Sequence, residues 1–401
     1  MAMLALRLTL LLAVMAVTNC DAQDARGEVA GGACPDMVKP DGPRAQTAAD
    51  GARRWKTPDN ILWVDASARS DGLGSAAQPF RTISAAVRNA RPCTAIMVRA
   101  GTYSENVVFA RGQDGRPDCP IRLTSADGAG KARIIATEND RSAIEGGGNE
   151  NIAVEGFEIV GGRNGVHFGQ NGGDWSDLAR GIVIRFNTIS RPLMDGIKIN
   201  GAEDVLIAHN EIASTGQEGI DFVGVVRGIV DRNTIAGIGA TSAAIFAKGG
   251  SHAILVSGNR ISDVGANGIS VGGWTNPQFN YRAGYDEGEA TCMLVTRNIV
   301  ERVGKSPLIF LGAKRSVALG NLLAGSAEHP VAIVAENNPK AVHRIYSSEV
   351  EISNNILRGG RPLKIRPGNE TVIFEKNREG GLLEGSTGAD LTLFTPRGSG
   401  R

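Results

Sequence analysis

Three carboxylates and two lysines stand in short phrases of related form. The first phrase is Asp195-Gly196-Ile197-Lys198, the second is Gln217-Glu218-Gly219-Ile220-Asp221, and Phe246-Ala247-Lys248 comes later. Asp195 and Glu218 are 23 residues apart, as are Lys198 and Asp221, so a chain that coils with that period brings the two phrases side by side. Acids gathered in this way repel one another unless something neutralises them. A Ca²⁺ ion is one candidate, because it takes several oxygen ligands in loose geometry. A plain cross-strand pair of Lys198 with Asp221 is the other.

The rest of the chain supplies that period. An asparagine recurs in an apolar phrase at Asn187, Asn210, Asn233, Asn259, Asn298, Asn321, Asn355 and Asn377, in steps of 23, 23, 26, 39, 23, 34 and 22 residues. A step near 23 with longer excursions is the signature of a coiled solenoid whose corners swell into loops. The expected fold is all-β, a right-handed parallel β-helix. Parallel strands lie about 4.8 Å apart, so these asparagines would stack and their amides bond along the stack. A second strand in each turn reads Asn164-Gly165-Val166-His167, Asp195-Gly196-Ile197-Lys198, Glu218-Gly219-Ile220-Asp221, Ala243-Ala244-Ile245-Phe246 and Asn267-Gly268-Ile269-Ser270. Strand alternation turns the residue after Gly or Ala inward and its neighbours outward. One outward column is then Asn164, Asp195, Glu218, Ala243, Asn267, and the next is His167, Lys198, Asp221, Phe246, Ser270. Asp195, Glu218 and Asp221 meet on one face, with Gln217 beside them and Lys248 about a turn further on.

Composition agrees with one long solenoid. The chain has 53 glycines for its tight corners and only 5% aromatic residues, as suits a narrow core of stacked aliphatics. Lys and Arg total 43 against 42 for Asp and Glu, which gives no footprint for nucleic acid or a membrane surface. Residues 1–22 read as a secretory signal, with lipid anchoring through Cys20 as the alternative, and no later stretch is long enough to span a bilayer. Residues 23–57 read as a poorly ordered linker and 58–396 as the β-helix domain, expected to be a monomer. A helix over Phe80 to Ala90, with Phe80, Ile83, Val87 and Ala90 on one face, would cap the open end. Cys93 and Cys119 precede strands expected in consecutive turns, which puts them within bonding reach in an exported protein. Cys34 and Cys292 cannot be paired from sequence. A swollen corner, Trp274 to Ala290, gathers Trp274, Phe279, Tyr281 and Tyr285. Such rings suit the apolar faces of sugars, or else pack as the loop's own small core.

The opening of the domain carries a resemblance. Trp63-Val64-Asp65, Gln78-Pro79-Phe80-Arg81-Thr82-Ile83 and Ile96-Met97-Val98-Arg99-Ala100-Gly101-Thr102-Tyr103 resemble the entry of secreted pectin-lyase-like β-helix proteins, including the family 9 pectate lyases. Asp195-Gly196 and Gln217-Glu218-Gly219-Ile220-Asp221 are similar to that family's calcium-binding segments, with Gln217 and Glu218 as substitutions. Phe246-Ala247-Lys248-Gly249-Gly250 looks like its lysine element, with the lysine two residues further along its strand. The resemblance implies Ca²⁺ held by Asp195, Gln217, Glu218 and Asp221, Lys248 as the base of a β-elimination, and an acidic polysaccharide as substrate. Lys198, Trp274, Tyr281 and Tyr285 would then bind the polymer. For Lys248 the bland reading is a solvated surface lysine. The alternative functions are a glycoside hydrolase using Glu218 and Asp221, and a glycan-binding or envelope protein without catalysis.

Overall fold

A computed structural model describes Cys34 and residues 55–70, 72–239, 243–276, 279, 288–325, 333–336, 344–359 and 363–380. The expected signal segment 1–22, most of the linker 23–57 and the tail from 381 lie outside the described residues. From Asn60 onward short parallel strands wind into a right-handed β-helix. Among the described residues, one long sheet of 22 strands and a second of 11 run along it. Each strand pairs in register with its counterpart a turn away: Ile197–Ala208 lies against Ile220–Asp231, which in turn lies against Ala243–Lys248 and Ser251–Ser257.

Aliphatic residues at alternate strand positions fill the interior. Ile184, Ile207, Val230, Val256 and Val295 form one inward column, and Val166, Ile197, Ile220, Ile245 and Ile269 another. The burial of such stacked side chains is the main favourable term, about 25 cal/mol per Å² of apolar surface. The corners need polar partners, and the asparagine ladder provides them. Asn210 Nδ2 donates to Asn233 Oδ1 at 3.0 Å while the Asn210 backbone N–H reaches the same oxygen at 2.9 Å, and the pattern continues through Asn259, Asn298, Asn321 and Asn355 to Asn377. The residue before each ladder asparagine sits in the left-handed region, at Phe186 (φ 59°), His209 (55°), Arg232 (51°) and Arg297 (55°), with glycine at Gly258 and Gly320. Left-handed backbone is costly for such side chains. The ladder bonds fix the corner whatever residue occupies it.

The capping helix spans Ile83–Asn89, shorter than the Phe80 to Ala90 expected. Thr82 is its N-cap and accepts from the Ala85 N–H, while Phe80 bridges to Val64 as extended chain ahead of it. Ile83, Ala85, Ala86 and Val87 are buried, and the Glu105 carboxylate accepts from the N–H groups of Ile83 and Ser84.

Cys93 and Cys119 are bonded, their Cα atoms 4.7 Å apart on adjacent turns. Cys34 is bonded to Cys292, 258 residues away, in the turn between Ala290–Thr291 and Leu294–Thr296. A second tie lies nearer the domain, where Trp55 packs under the guanidinium groups of Arg122 and Arg185.

Candidate active site

The two outward columns exist as read. His167, Lys198, Asp221, Phe246 and Ser270 are paired rung by rung, and Ala243 pairs with Asn267 in the other column. In that other column the asparagines do structural work. Asn164 Oδ1 accepts the Asp195 N–H at 3.2 Å, and Asn267 Oδ1 accepts the Ser306 N–H at 3.2 Å. Asp195 does the same job with an ionisable group, its Oδ1 accepting the Glu218 N–H at 3.1 Å.

Asp195, Glu218 and Asp221 each place a carboxylate oxygen within 4.8 Å of the others, and all three side chains are buried. Lys198 contacts Asp221 Oδ2 directly and lies 3.5 Å from Asp195 Oδ2. Lys248 approaches from the following rung, its Nζ 3.2 Å from Asp221 Oδ1 and 3.8 Å from the centre of the Phe246 ring. That approach is an ion pair without hydrogen-bond alignment, so Asp221 Oδ1 has no hydrogen-bond donor among the described residues.

The environment separates the groups electrostatically. Burial, with the charge of Asp221 next in importance, pushes the Asp195 carboxyl up to about 8, so that it holds a proton at neutral pH. Burial also works against the charge on Asp221, but Lys198 and Lys248 outweigh it and hold that carboxyl below the usual value. Burial opposes the charge on Lys198 as well, and Asp221 and Asp195 overcome it and raise the lysine, which is an ammonium at any ordinary pH. One rung below, His167 meets Asn200 Oδ1, and burial lowers its affinity for a proton.

The donor set suits calcium. Three hard oxygen donors stand at the spacing of ligands around one ion, and one oxygen of Asp221, Oδ1, lacks a hydrogen-bond donor among the described residues. Gln217 is half-buried at the same corner and held through its backbone, donating to Met194 O and accepting from Thr215 Oγ1. Trp274 is 36% exposed at the start of the swollen corner, whereas Tyr281 and Tyr285 lie outside the described residues. The sequence reading singled out neither His167 nor Glu289. Glu289 is fully buried and bonded to the turn after Lys248. His167 was visible as a member of the Lys198 column, but Glu289 sits at the end of an irregular loop where no period points to it. A cavity of about 460 Å³ at the other end of the domain, lined by Asp65, Arg69 and Arg99, holds no comparable cluster.

Comparison with known proteins bears on the architecture. Residues 133–283 match the family model described as a right handed beta helix region. No curated protein sequence matches the chain significantly. Among solved structures, the mannuronan C-5 epimerase AlgE6 A-module of Azotobacter vinelandii aligns with 13% identity over 75% of this chain and 90% of its own, with a TM-score of 0.56. The AlgE4 A-module of the same organism aligns with 15% identity over 80% and 98%, TM-score 0.53. An alginate lyase from Paenibacillus sp. str. FPU-7 aligns with 14% identity over 80% and 95%, TM-score 0.50. At these identities the likeness is one of fold, and with the parallel stack already described it makes the chain a right-handed parallel β-helix.

Proposed function

We propose that the protein is a calcium-assisted lyase that cuts a uronate-containing polysaccharide by β-elimination. One observation carries the reading. In a column where Asn164 and Asn267 serve as neutral ladder groups, the chain spends two buried acids, Asp195 and Glu218, beside a third, Asp221. Burying like charges together destabilises a fold, and such perturbed clusters concentrate at functional sites. Solved proteins of this shape include ones named mannuronan C-5 epimerase and alginate lyase, whose substrates are uronate polymers.

Asp195, Glu218 and Asp221, with the Gln217 amide, would hold Ca²⁺, which would neutralise the substrate carboxylate and so acidify the neighbouring C5–H. Lys198, permanently charged, adds to that neutralisation and orients the sugar. Lys248, as the neutral amine that forms once Asp221 turns to the ion and no longer favours the charged form, takes the C5 proton and becomes an ammonium. The electron pair forms the C4–C5 double bond, the C4–O bond breaks, and the departing oxygen takes a proton from water. Trp274 lies at the edge of the site to stack a sugar ring. Export, suggested by the leading segment and the two disulfides, would put the enzyme where such polymers occur.

The test is the ultraviolet absorbance of unsaturated product from polygalacturonate, alginate and glycosaminoglycans, each with calcium and with chelator. A calcium-dependent rise on one polymer is expected; silence on all of them, from folded protein, refutes the lyase. The engagement of both lysines by Asp221 favours a second reading, glycan binding without catalysis, and that reading predicts polymer binding with no product.

A further inference from the structure

We propose that Glu289 is a positioning residue, a buried carboxylate that locks the Lys248 strand end to the base of the aromatic loop; this rests on the lyase reading above. On the three rungs before it and the one after, the corner position it occupies is glycine, with Leu178 and Tyr346 at the rungs beyond. Ala202, Val225, Ser251, Ala290 and Ala313 occupy one register position on successive rungs. The residues just before them are Gly201, Gly224, Gly250, Glu289 and Gly312. The glycines there adopt φ between 62° and 82°, the region that favours glycine, whereas on the Glu289 rung the positive φ falls on the preceding Gly288 (116°). Glu289 alone places a large acid at this corner.

Its side chain is fully buried and its two oxygens are divided between two elements. Oε2 accepts the Gly249 N–H at 2.9 Å, immediately after Lys248, and Oε1 accepts the Thr275 N–H at 3.2 Å, immediately after Trp274. Its own backbone continues the stack, accepting from Gly250 N–H at 3.0 Å and donating to Gly312 O at 2.8 Å. The two elements are in close contact on either side of this tie. A Cβ built on Gly273 would fall 3.3 Å from Lys248 Cβ and against the Phe246 ring, and one on Gly249 would fall 3.2 Å from Phe279 O. Closing a loop does not require a buried carboxylate, which must give up its hydration. What the two hydrogen bonds add is a fixed distance between the lysine and the ring beside it.

The experiment compares wild type with Glu289→Gly, which removes both carboxylate acceptors, and with Glu289→Gln, which keeps one acceptor. Hydrogen exchange at Gly249 and Thr275 is read alongside kcat and KM on the polymer that wild type cleaves, with Trp274→Ala as a control expected to raise KM alone. In Glu289→Gly, faster exchange at both amides with a lower kcat and a higher KM, kcat/KM falling at least about tenfold, supports the proposal; Glu289→Gln should fall between. Unchanged exchange, or faster exchange with KM unchanged, overturns it, since a merely structural residue would reduce the active fraction without moving KM. A wild type that cleaves no polyuronate removes the lyase reading itself and the catalytic role of Glu289 with it. An active wild type with a kinetically normal Glu289→Gly variant removes only this proposal.

Discussion

Replacing Asp195 with asparagine should stabilise the fold while removing the activity, and the gain should grow with pH. Burial and Asp221 raise the Asp195 carboxyl from 3.8 to about 8 in the folded protein. Between those values the folded state binds more protons than the unfolded one, so stability falls as pH rises and levels off above the folded value. A tenfold change in proton affinity is worth about 1.4 kcal/mol, which sets an upper bound on the order of 6 kcal/mol across the window. Asp221 titrates below its usual value and so contributes nothing to the slope in this range. His167, lowered by burial from 6.5, acts in the opposite sense at the acid end but equally in both proteins. Asparagine keeps the oxygen that accepts the Glu218 N–H, as Asn164 does one rung earlier, but it turns an NH₂ toward Lys198, 3.5 Å from the oxygen it replaces. That conflict reduces the gain without adding pH dependence. The assay is chemical denaturation of wild type and Asp195→Asn in chelator from about pH 5 to about pH 9. The difference should widen toward pH 8 and then hold, with no elimination product from the variant. Parallel stability curves would refute the assignment of a buried, proton-holding carboxyl at this position.

Lys248→Ala should lower kcat by about 100-fold or more while the thermal midpoint changes little, and a variant with full activity in the absorbance assay would eliminate the proposed base. Asp221→Ala leaves Lys198 and Lys248 beside an empty buried site and should cost about 3–5 kcal/mol by denaturant titration, far more than loss of a surface pair. Asn259→Leu breaks the ladder where one oxygen accepts from both the backbone and the side chain of Asn233; stranding those donors should cost at least about 3 kcal/mol, and a loss under about 1 kcal/mol would show the ladder to be dispensable. Calcium should raise the melting temperature of wild type but not of Asp195→Asn, and equal shifts in the two would place the ion elsewhere.

Sequence alone determined the coil, its period, the asparagine ladder and the column that brings Asp195, Glu218 and Asp221 together. All of these are repeats, and in a parallel stack a repeat of fixed length converts directly into a neighbour at a fixed distance. The left-handed corners at Phe186, His209, Arg232 and Arg297 gave no sequence signal, because ladder bonds rather than glycine hold them. The helix lost its first turn to Thr82, whose side chain satisfies a backbone donor that no periodicity reveals. Tertiary structure alone decided the bond from Cys34 to Cys292, which joins a non-repeating segment to the stack across 258 residues. It also decided that Lys198 and Lys248 both converge on Asp221, and that Glu289 reaches back to the turn after Lys248. Side-chain reach and loop return depend on rotamers and on chain outside the repeat, and a linear period carries no information about either.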